Sequence, residues 1–322
     1  MNRYRWNIRN AMLPIGRISF GISFLPVLLS IVNSCIYDNM DNCQQGISVR
    51  TFSKTPCSND TLYPQLSGLK YCVFDQYDRL VSYHDADKIE MENNYSKPLE
   101  IKNGLFTVVV WAGLDSEVFN TDKLNIGSTN KKDIHFRLRQ SNSKTVSLEN
   151  ERVYFGESPA VFLPDPAEYG SVFKSASVNL QEITNRITVQ VEGLPCNDAY
   201  EIVIESANGA MNMDGNIAAG DIIEYNPYQY TYTDILEARF TFLRLATGYN
   251  STLIIRDKVG GKEVYRGDLL GTLLLKNPEV NLACDHDFTI RFTTGDQCQC
   301  GTYMALKIRV NNWLIYSYNV NL

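Results

Sequence analysis

The residue types best suited to chemistry cluster near the C-terminus, in Cys284-x-His286 and Cys298-x-Cys300. Two Cys/His pairs brought together would offer four ligands of the kind that hold zinc. The spacing argues against it, because one residue separates the members of each pair where structural zinc sites use two to four. In an exported chain the same cysteines favour a disulfide, such as Cys284 with Cys298 or with Cys300. Free or differently paired thiols, and zinc on Cys284, His286, Cys298 and Cys300, stand as the alternatives.

A second, covalent chemistry points to Cys35. This cysteine directly follows an apolar run and the small-residue approach Val32-Asn33-Ser34. The segment before it carries Arg3, Arg5, Arg9 and Arg17 and no acidic residue. Basic flank, apolar stretch and small residue form the layout of a secretory signal. A cysteine at the cleavage point turns that layout into a bacterial lipoprotein signal. Residues 1–34 then read as the signal peptide, and Cys35 as the mature N-terminus carrying acyl chains. A membrane-spanning helix would need about 20 apolar residues. The run over residues 18–32 has 15 and is interrupted by Ser19, Gly21, Ser23 and Pro26.

No catalytic constellation emerges from the rest of the chain. The three histidines are His84, His135 and His286. None sits in a metalloprotease helix motif, and neither a G-x-S-x-G elbow nor a P-loop occurs. His84, beside Asp85 and Asp87, reads as part of a solvated turn. Met211-Asn212-Met213-Asp214-Gly215-Asn216 lacks the downstream bidentate Glu of a calcium loop and reads as a turn. Tyr225, Tyr228, Tyr230 and Tyr232 surround Pro227 and offer rings for sugar stacking or an interface, with packing as the plainer reading. The chain is expected to be no enzyme and to use no cofactor.

Composition narrows the partners. Without residues 1–34 the chain keeps 288 of its 322 residues, with 26 basic and 36 acidic side chains, a net charge of −10. Such a surface, lacking a basic cluster, argues against nucleic-acid binding. Membrane attachment would rest on the acyl chains and not on the polypeptide. Seven cysteines remain besides Cys35, an odd number, so a monomer leaves one unpaired. Cys72, inside the apolar stretch Leu69-Lys70-Tyr71-Cys72-Val73-Phe74, is the best candidate for a buried inert thiol, with pairing to Cys43 or Cys57 left open.

The elements that must position these residues are strands. Nineteen Tyr and many Val, Ile and Thr favour them, and no long stretch has clean helical periodicity. Residues 35–46 form a lipidated tether. Residues 47–52 and 69–74 pattern as strands, and Asp75-Gln76-Tyr77-Asp78 turns into Arg79-Leu80-Val81-Ser82-Tyr83. Asn103-Gly104 precedes an almost unbroken apolar run to Gly113, which reads as a strand buried on both faces with Trp111 in the core of a first sandwich. Residues 115–150 read as loops with short elements. At the end, Met304 to Val310 alternates, Asn311-Asn312 turns, and Trp313, a core or interface residue, opens the returning strand. Short strands, turns and no internal repeat predict an all-β chain of two sandwiches, over residues 47–173 and 174–322.

Several of these pieces, taken in order, resemble the lipoprotein anchor subunits of Bacteroidia-type fimbriae, the FimB-like anchor family. They are Ser34-Cys35-Ile36-Tyr37-Asp38 with Asp41-Asn42-Cys43, Tyr71-Cys72-Val73-Phe74-Asp75 with Arg79-Leu80-Val81, and Val110-Trp111-Ala112-Gly113-Leu114. Phe155-Gly156, Val178-Asn179-Leu180, Thr184-Asn185-Arg186-Ile187-Thr188-Val189 and the hairpin with Asn312-Trp313 complete the set. The Asp75–Asp78 turn lacks the glycine such hairpins often carry, and residues 284–300 do not map onto the family pattern. The resemblance implies two transthyretin-like sandwiches, lipid anchoring at the outer membrane and fimbrial shaft subunits as partners, joined by β-strand complementation or surface docking. A glycan-binding surface lipoprotein is the alternative function.

Overall fold

The computed structural model describes residues 44–64, 66–89, 95–142, 144–145, 147–218, 220–296 and 303–317. The predicted signal peptide, Cys35, Cys43, Cys298 and Cys300 lie outside the described residues. The architecture is all-β, as the patterning predicts, with several sheets layered on one another. Among the described residues no helix is long and apolar enough to cross a membrane.

The chain begins with β1 (Gly46–Phe52), β2 (Leu66–Asp75), β3 (Leu80–Ile89), β4 (Ser96–Glu100) and β5 (Gly104–Ala112). Short strands follow as β6 (Phe119–Thr121), β7 (His135–Leu138), β8 (Gln140–Ser141) and β9 (Lys144–Thr145). The segment closes with β10 (Tyr154–Glu157), β11 (Val161–Leu163) and β12 (Phe173–Asn179). A three-stranded sheet of order β12-β1-β4 packs against a larger sheet running β13-β10-β5-β2-β3, where β13 is Gln181–Glu182.

The alternation within β2 and β5 explains this layering. Leu69, Tyr71, Val73, Val108 and Val110 face β1 and β12 and form one core. Cys72, Phe74, Val109 and Trp111 point the opposite way into a second, larger core that continues into the C-terminal half. Both strands are thus buried on both faces, which is why β5 reads as an unbroken apolar run. Trp111 is buried as expected, but it belongs to this shared core and not to the interior of the first sandwich. Its ring packs on Phe136 and Phe155 at centroid distances of 4.7 and 5.1 Å.

The second half runs β14 (Thr184–Glu192), β15 (Tyr200–Ser206), β16 (Ala210–Asn212), β17 (Ile217–Ala218), β18 (Ile223–Tyr225) and β19 (Gln229–Tyr232). Then come β20 (Ile235–Leu243), β21 (Thr252–Asp257), β22 (Glu263–Asp268), β23 (Asp287–Asp296), β24 (Tyr303–Val310) and β25 (Trp313–Ser317). The sheet β19-β20-β14-β23-β24-β25 faces the sheet β22-β21-β15-β18-β9-β8. Ile187, Val189, Val191, Phe240, Phe242, Ile290 and Phe292 from the first meet Ile202, Ile204, Leu253 and Ile255 from the second.

Two pairings tie the halves together. β12 starts at residue 173, where the sequence suggests a domain break, yet it pairs in parallel with β1 from Gly46↔Phe173 to Phe52↔Asn179. Strand pairing therefore carries the N-terminal sheet through residue 179. Within residues 115–150, expected as loops with short elements, the short strands β7 and β9 pair with β16 and β18, strands of the second half.

Candidate docking surfaces

The chain emerges from the predicted tether directly into β1. That strand is the middle one of its sheet, paired along Ile47, Val49 and Arg50 to both β12 and β4. Ile47 and Val49 are fully buried. Gly46 is needed here because a Cβ would sit 2.0 Å from the Leu99 carbonyl oxygen. A pull along the strand from its N-terminal end must shear hydrogen bonds on two sides at once, and it must draw two buried side chains out of the core.

Among the described residues, β25 is an edge strand. Asn311 and Asn312 both adopt positive φ, 47° and 70°, in the two-residue turn expected between β24 and β25. Among the described residues β25 pairs with β24 alone, so it is a sheet edge. Trp313, Leu314 and Tyr316 are 43%, 49% and 42% exposed, and Ile315 packs against the core. Beside this edge a cleft of about 490 Å³ opens between β22 and β24–β25, lined by Val264, Tyr265, Leu273, Ile308, Ile315 and Tyr316 among others. Exposed edges with apolar side chains are hazards that proteins ordinarily blunt with charge or proline. An edge left apolar is suited to adding a strand from a partner, with main-chain hydrogen bonds for affinity and the cleft for side-chain selection.

The remaining sequence candidates take structural roles. Cys284 is bonded to Cys57, with Cα atoms 6.1 Å apart. This corrects the expected pairing of Cys284 with Cys298 or Cys300, and it removes Cys284 as a zinc ligand, since a disulfide sulfur is not a thiolate. The His286 Nδ1 lies 3.1 Å from the Thr184 carbonyl oxygen, to which it must donate. Among the described residues no cluster of three or more His, Cys, Asp or Glu is arranged to hold a metal. Cys72 is buried and unpaired as expected, and burial pushes its thiol up to about 12. His84 corrects another expectation: it lies within β3 and not in a turn, with its Nε2 3.0 Å from Ser82 Oγ.

In the 211–216 turn, Asn212 Oδ1 accepts from the backbone N–H groups of Asp214 and Asn216 at 3.1 and 3.0 Å. Asp214 pairs with Lys131 at 2.6 Å, an ammonium it shares with Glu157. Among the tyrosines, Tyr225 is fully buried and donates to Asn208 Oδ1 at 2.8 Å. Tyr230 donates to the Ile202 carbonyl at 2.7 Å. Tyr232 is the exposed member, stacked on Tyr230 with the Lys258 ammonium 4.8 Å from its ring centroid. Packing accounts for most of that aromatic run.

An ionic network that sequence reasoning missed sits where β14 meets β23. Arg186 donates to Glu182 and, through Nε and Nη2, to both carboxylate oxygens of Asp287 at 2.6 and 2.8 Å. Hydrogen bonding from Arg186 holds the Asp287 carboxyl below its ordinary value, against partial burial. The motif Thr184-Asn185-Arg186 marked the strand but gave no sign of partners about a hundred positions away.

Residues 40–319 match the family described as fimbrillin-A associated anchor proteins Mfa1 and Mfa2. The minor fimbrium anchoring subunit Mfa2 of Porphyromonas gingivalis is 32% identical over 321 residues, covering 96% of this chain and 98% of that one. This chain belongs to the fimbrillin-associated anchor protein family. The solved fimbrial anchor protein Mfa2 superposes with a TM-score of 0.79 at 31% identity, over 86% of this chain and all of that one. A candidate adhesin from Bacteroides thetaiotaomicron shares the fold, with a TM-score of 0.69 at 19% identity over 86% of this chain and 99% of its own. The family is one of structural fimbrial anchor subunits and is not a known enzyme family. In this member of the anchor-protein family the features worth weighing are therefore surfaces: the doubly paired β1 at one end and the open β25 edge at the other.

Proposed function

We propose that this chain is the lipid-anchored base of a fimbria, exported to the outer membrane, acylated at Cys35 and seating the first shaft subunit. The observation that carries the reading is the full-length similarity to a minor fimbrium anchoring subunit. The signal-like segment before Cys35 supports anchoring by acyl chains, which hold stably when more than one is attached. Residues 35–46 act as the tether between bilayer and fold. The central position of β1 suits a protein that bears load from the tether.

The β25 edge and the cleft beside it are assigned to an extended segment of a shaft subunit. Trp313, Leu314 and Tyr316 supply apolar contact, and the free main-chain groups of β25 supply the ladder. The direct test is isolation of the full chain from outer membranes under mild detergent. The reading expects a shaft subunit to co-purify, and expects a charge placed at Leu314 or Tyr316 to reduce that recovery. An anchor recovered free of any fimbrial subunit from fimbriated cells would refute it.

A further inference from the structure

A second cavity, of about 390 Å³, lies at the junction of the two halves, away from the β25 edge. One wall is residues 53–56 and the other Leu282, Ala283 and His286. The Cys57–Cys284 bridge joins the two walls, one residue beyond Pro56 and one beyond Ala283. Its volume falls in the range that holds small ligands, roughly 300–1,000 Å³.

Each wall is fixed by its own hydrogen bonds. Ser53 and Leu62 exchange backbone bonds at 2.9 and 2.7 Å. The backbone of Lys54 is clamped by the Asn179 side chain, which accepts from its N–H at 2.8 Å and donates to its carbonyl at 3.0 Å. On the other wall Asn281 Oδ1 accepts from Ala283 N–H at 3.1 Å, and the Asp285 carboxylate accepts from Asn281 N–H at 2.6 Å. Arg244 and Leu245 lie at the base, with Leu245 N–H donating to Asn185 Oδ1 at 2.9 Å. A cavity built this way is pre-formed, so a ligand would not have to order it.

The charge inside is unbalanced. Arg244 lines the cavity, and its guanidinium makes one long contact, 3.5 Å, to the Glu182 carbonyl oxygen. No carboxylate pairs with it among the described residues. Burial pushes the guanidinium down from its ordinary value. Glu182 also lines the cavity, but its carboxylate is already engaged by Arg186, with Arg152 at 3.6 Å. Lys54 and His286 add two more nitrogen-bearing side chains to the lining. In a chain of net negative charge, a half-buried arginine with no ion pair among the described residues, in a fixed cavity whose lining carboxylate, Glu182, is engaged by Arg186 with Arg152 close by, leaves room for an added anion. The rest of the lining combines hydroxyl and amide groups from Ser53, Thr55 and Gln181 with apolar surface from Leu245 and Leu282. That combination suits a ring with hydroxyls on its edge and C–H groups on its face.

We propose that this cavity binds a carboxylate-bearing sugar residue of the uronic-acid type, with the carboxylate on Arg244 and the hydroxyls on the Ser53, Thr55 and Gln181 side. The site is independent of fimbrial anchoring. No covalent step is involved.

Glucuronate titrated into the full chain, followed by saturation-transfer NMR and calorimetry, tests it. Saturable binding is expected, lost or weakened about tenfold or more in Arg244→Gln. Lys54→Gln should weaken it less. Glucose, which lacks the carboxylate, should bind at least about tenfold more weakly. Thermal melts of both variants check that the fold persists, and Arg244→Lys, which keeps the charge, should retain part of the binding. Absence of binding to the folded wild type would overturn the proposal. So would equal binding by glucose, or by succinate, which carries carboxylates but no ring, or binding unchanged in Arg244→Gln.

Discussion

Removing the Cys57–Cys284 bridge should cost stability by an amount that follows from where its ends lie in the sequence. The two cysteines are 227 positions apart, and the bridge links a loop after β1 to the loop before β23. In the chain-entropy treatment a crosslink closing a loop of that size disfavours the unfolded chain by roughly 5 kcal/mol at 25 °C. Measured losses for native bridges run about 2–5 kcal/mol, because reduced unfolded chains keep some structure and native loops relax. Cys57 is exposed on the connection between β1 and β2, beyond the hydrogen-bonded Ser53 and Lys54, so a loss of about 3 kcal/mol, inside that range, is the reasoned value for Cys57→Ser with Cys284→Ser. At about 2–4 °C per kcal/mol for a chain of this size class, the melting temperature should fall by roughly 6–12 °C. Circular-dichroism melts of the double variant and the wild type, each without reductant, read this directly. Non-reducing peptide mapping of the wild type supplies the second arm. A melting temperature within about 1 °C of wild type, or a map joining Cys284 to Cys298 or Cys300, would refute the reasoning.

Arg186→Met should destabilise the fold by about 3 kcal/mol, because it strands the buried Glu182 carboxylate without its guanidinium; chemical denaturation measures this. Asp287 gives the pH dependence. Its folded pKa is depressed, so its contribution is complete above the unfolded value near 3.9 and is lost as pH falls through that value and the lower folded one. Melts between pH 6 and 2 should therefore show acid loss that is shallower in Asp287→Asn. Gly46→Val should lower the melting temperature, because the added side chain meets the Leu99 carbonyl. Leu314→Lys with Tyr316→Lys should leave the melting temperature within about 2 °C, these side chains being half exposed, while lowering shaft-subunit recovery from membranes.

Local signals in the chain proved to be the legible ones. The apolar run ending at Ala112 marked a strand covered on both faces, and Asn311-Asn312 marked a turn with positive φ. Both follow from side-chain periodicity and backbone sterics over a few residues. Partner choice did not show. Cys284 has cysteines 14 and 16 positions away, yet it bonds to Cys57, because the fold brings the connection after β1 against the one before β23. His84 sits beside two aspartates and reads as a turn, but pairing with Tyr71 across the hairpin extends β3 through it. Trp111 was legible as core, while the face it points to depended on which residues cover β5 from the other half. The Arg244 cavity was invisible for the same reason, since its lining comes from four separated segments.

Cys35 is the residue proposed to hold a fimbria to the cell. The most direct measurement of that role is the distribution of fimbrial shaft protein between cells and medium when the native chain is replaced by Cys35→Ala. The account predicts that fimbriae still assemble but are released into the medium, with the anchor itself lost from the outer-membrane fraction. Fimbriae retained on the cells at wild-type levels would contradict it.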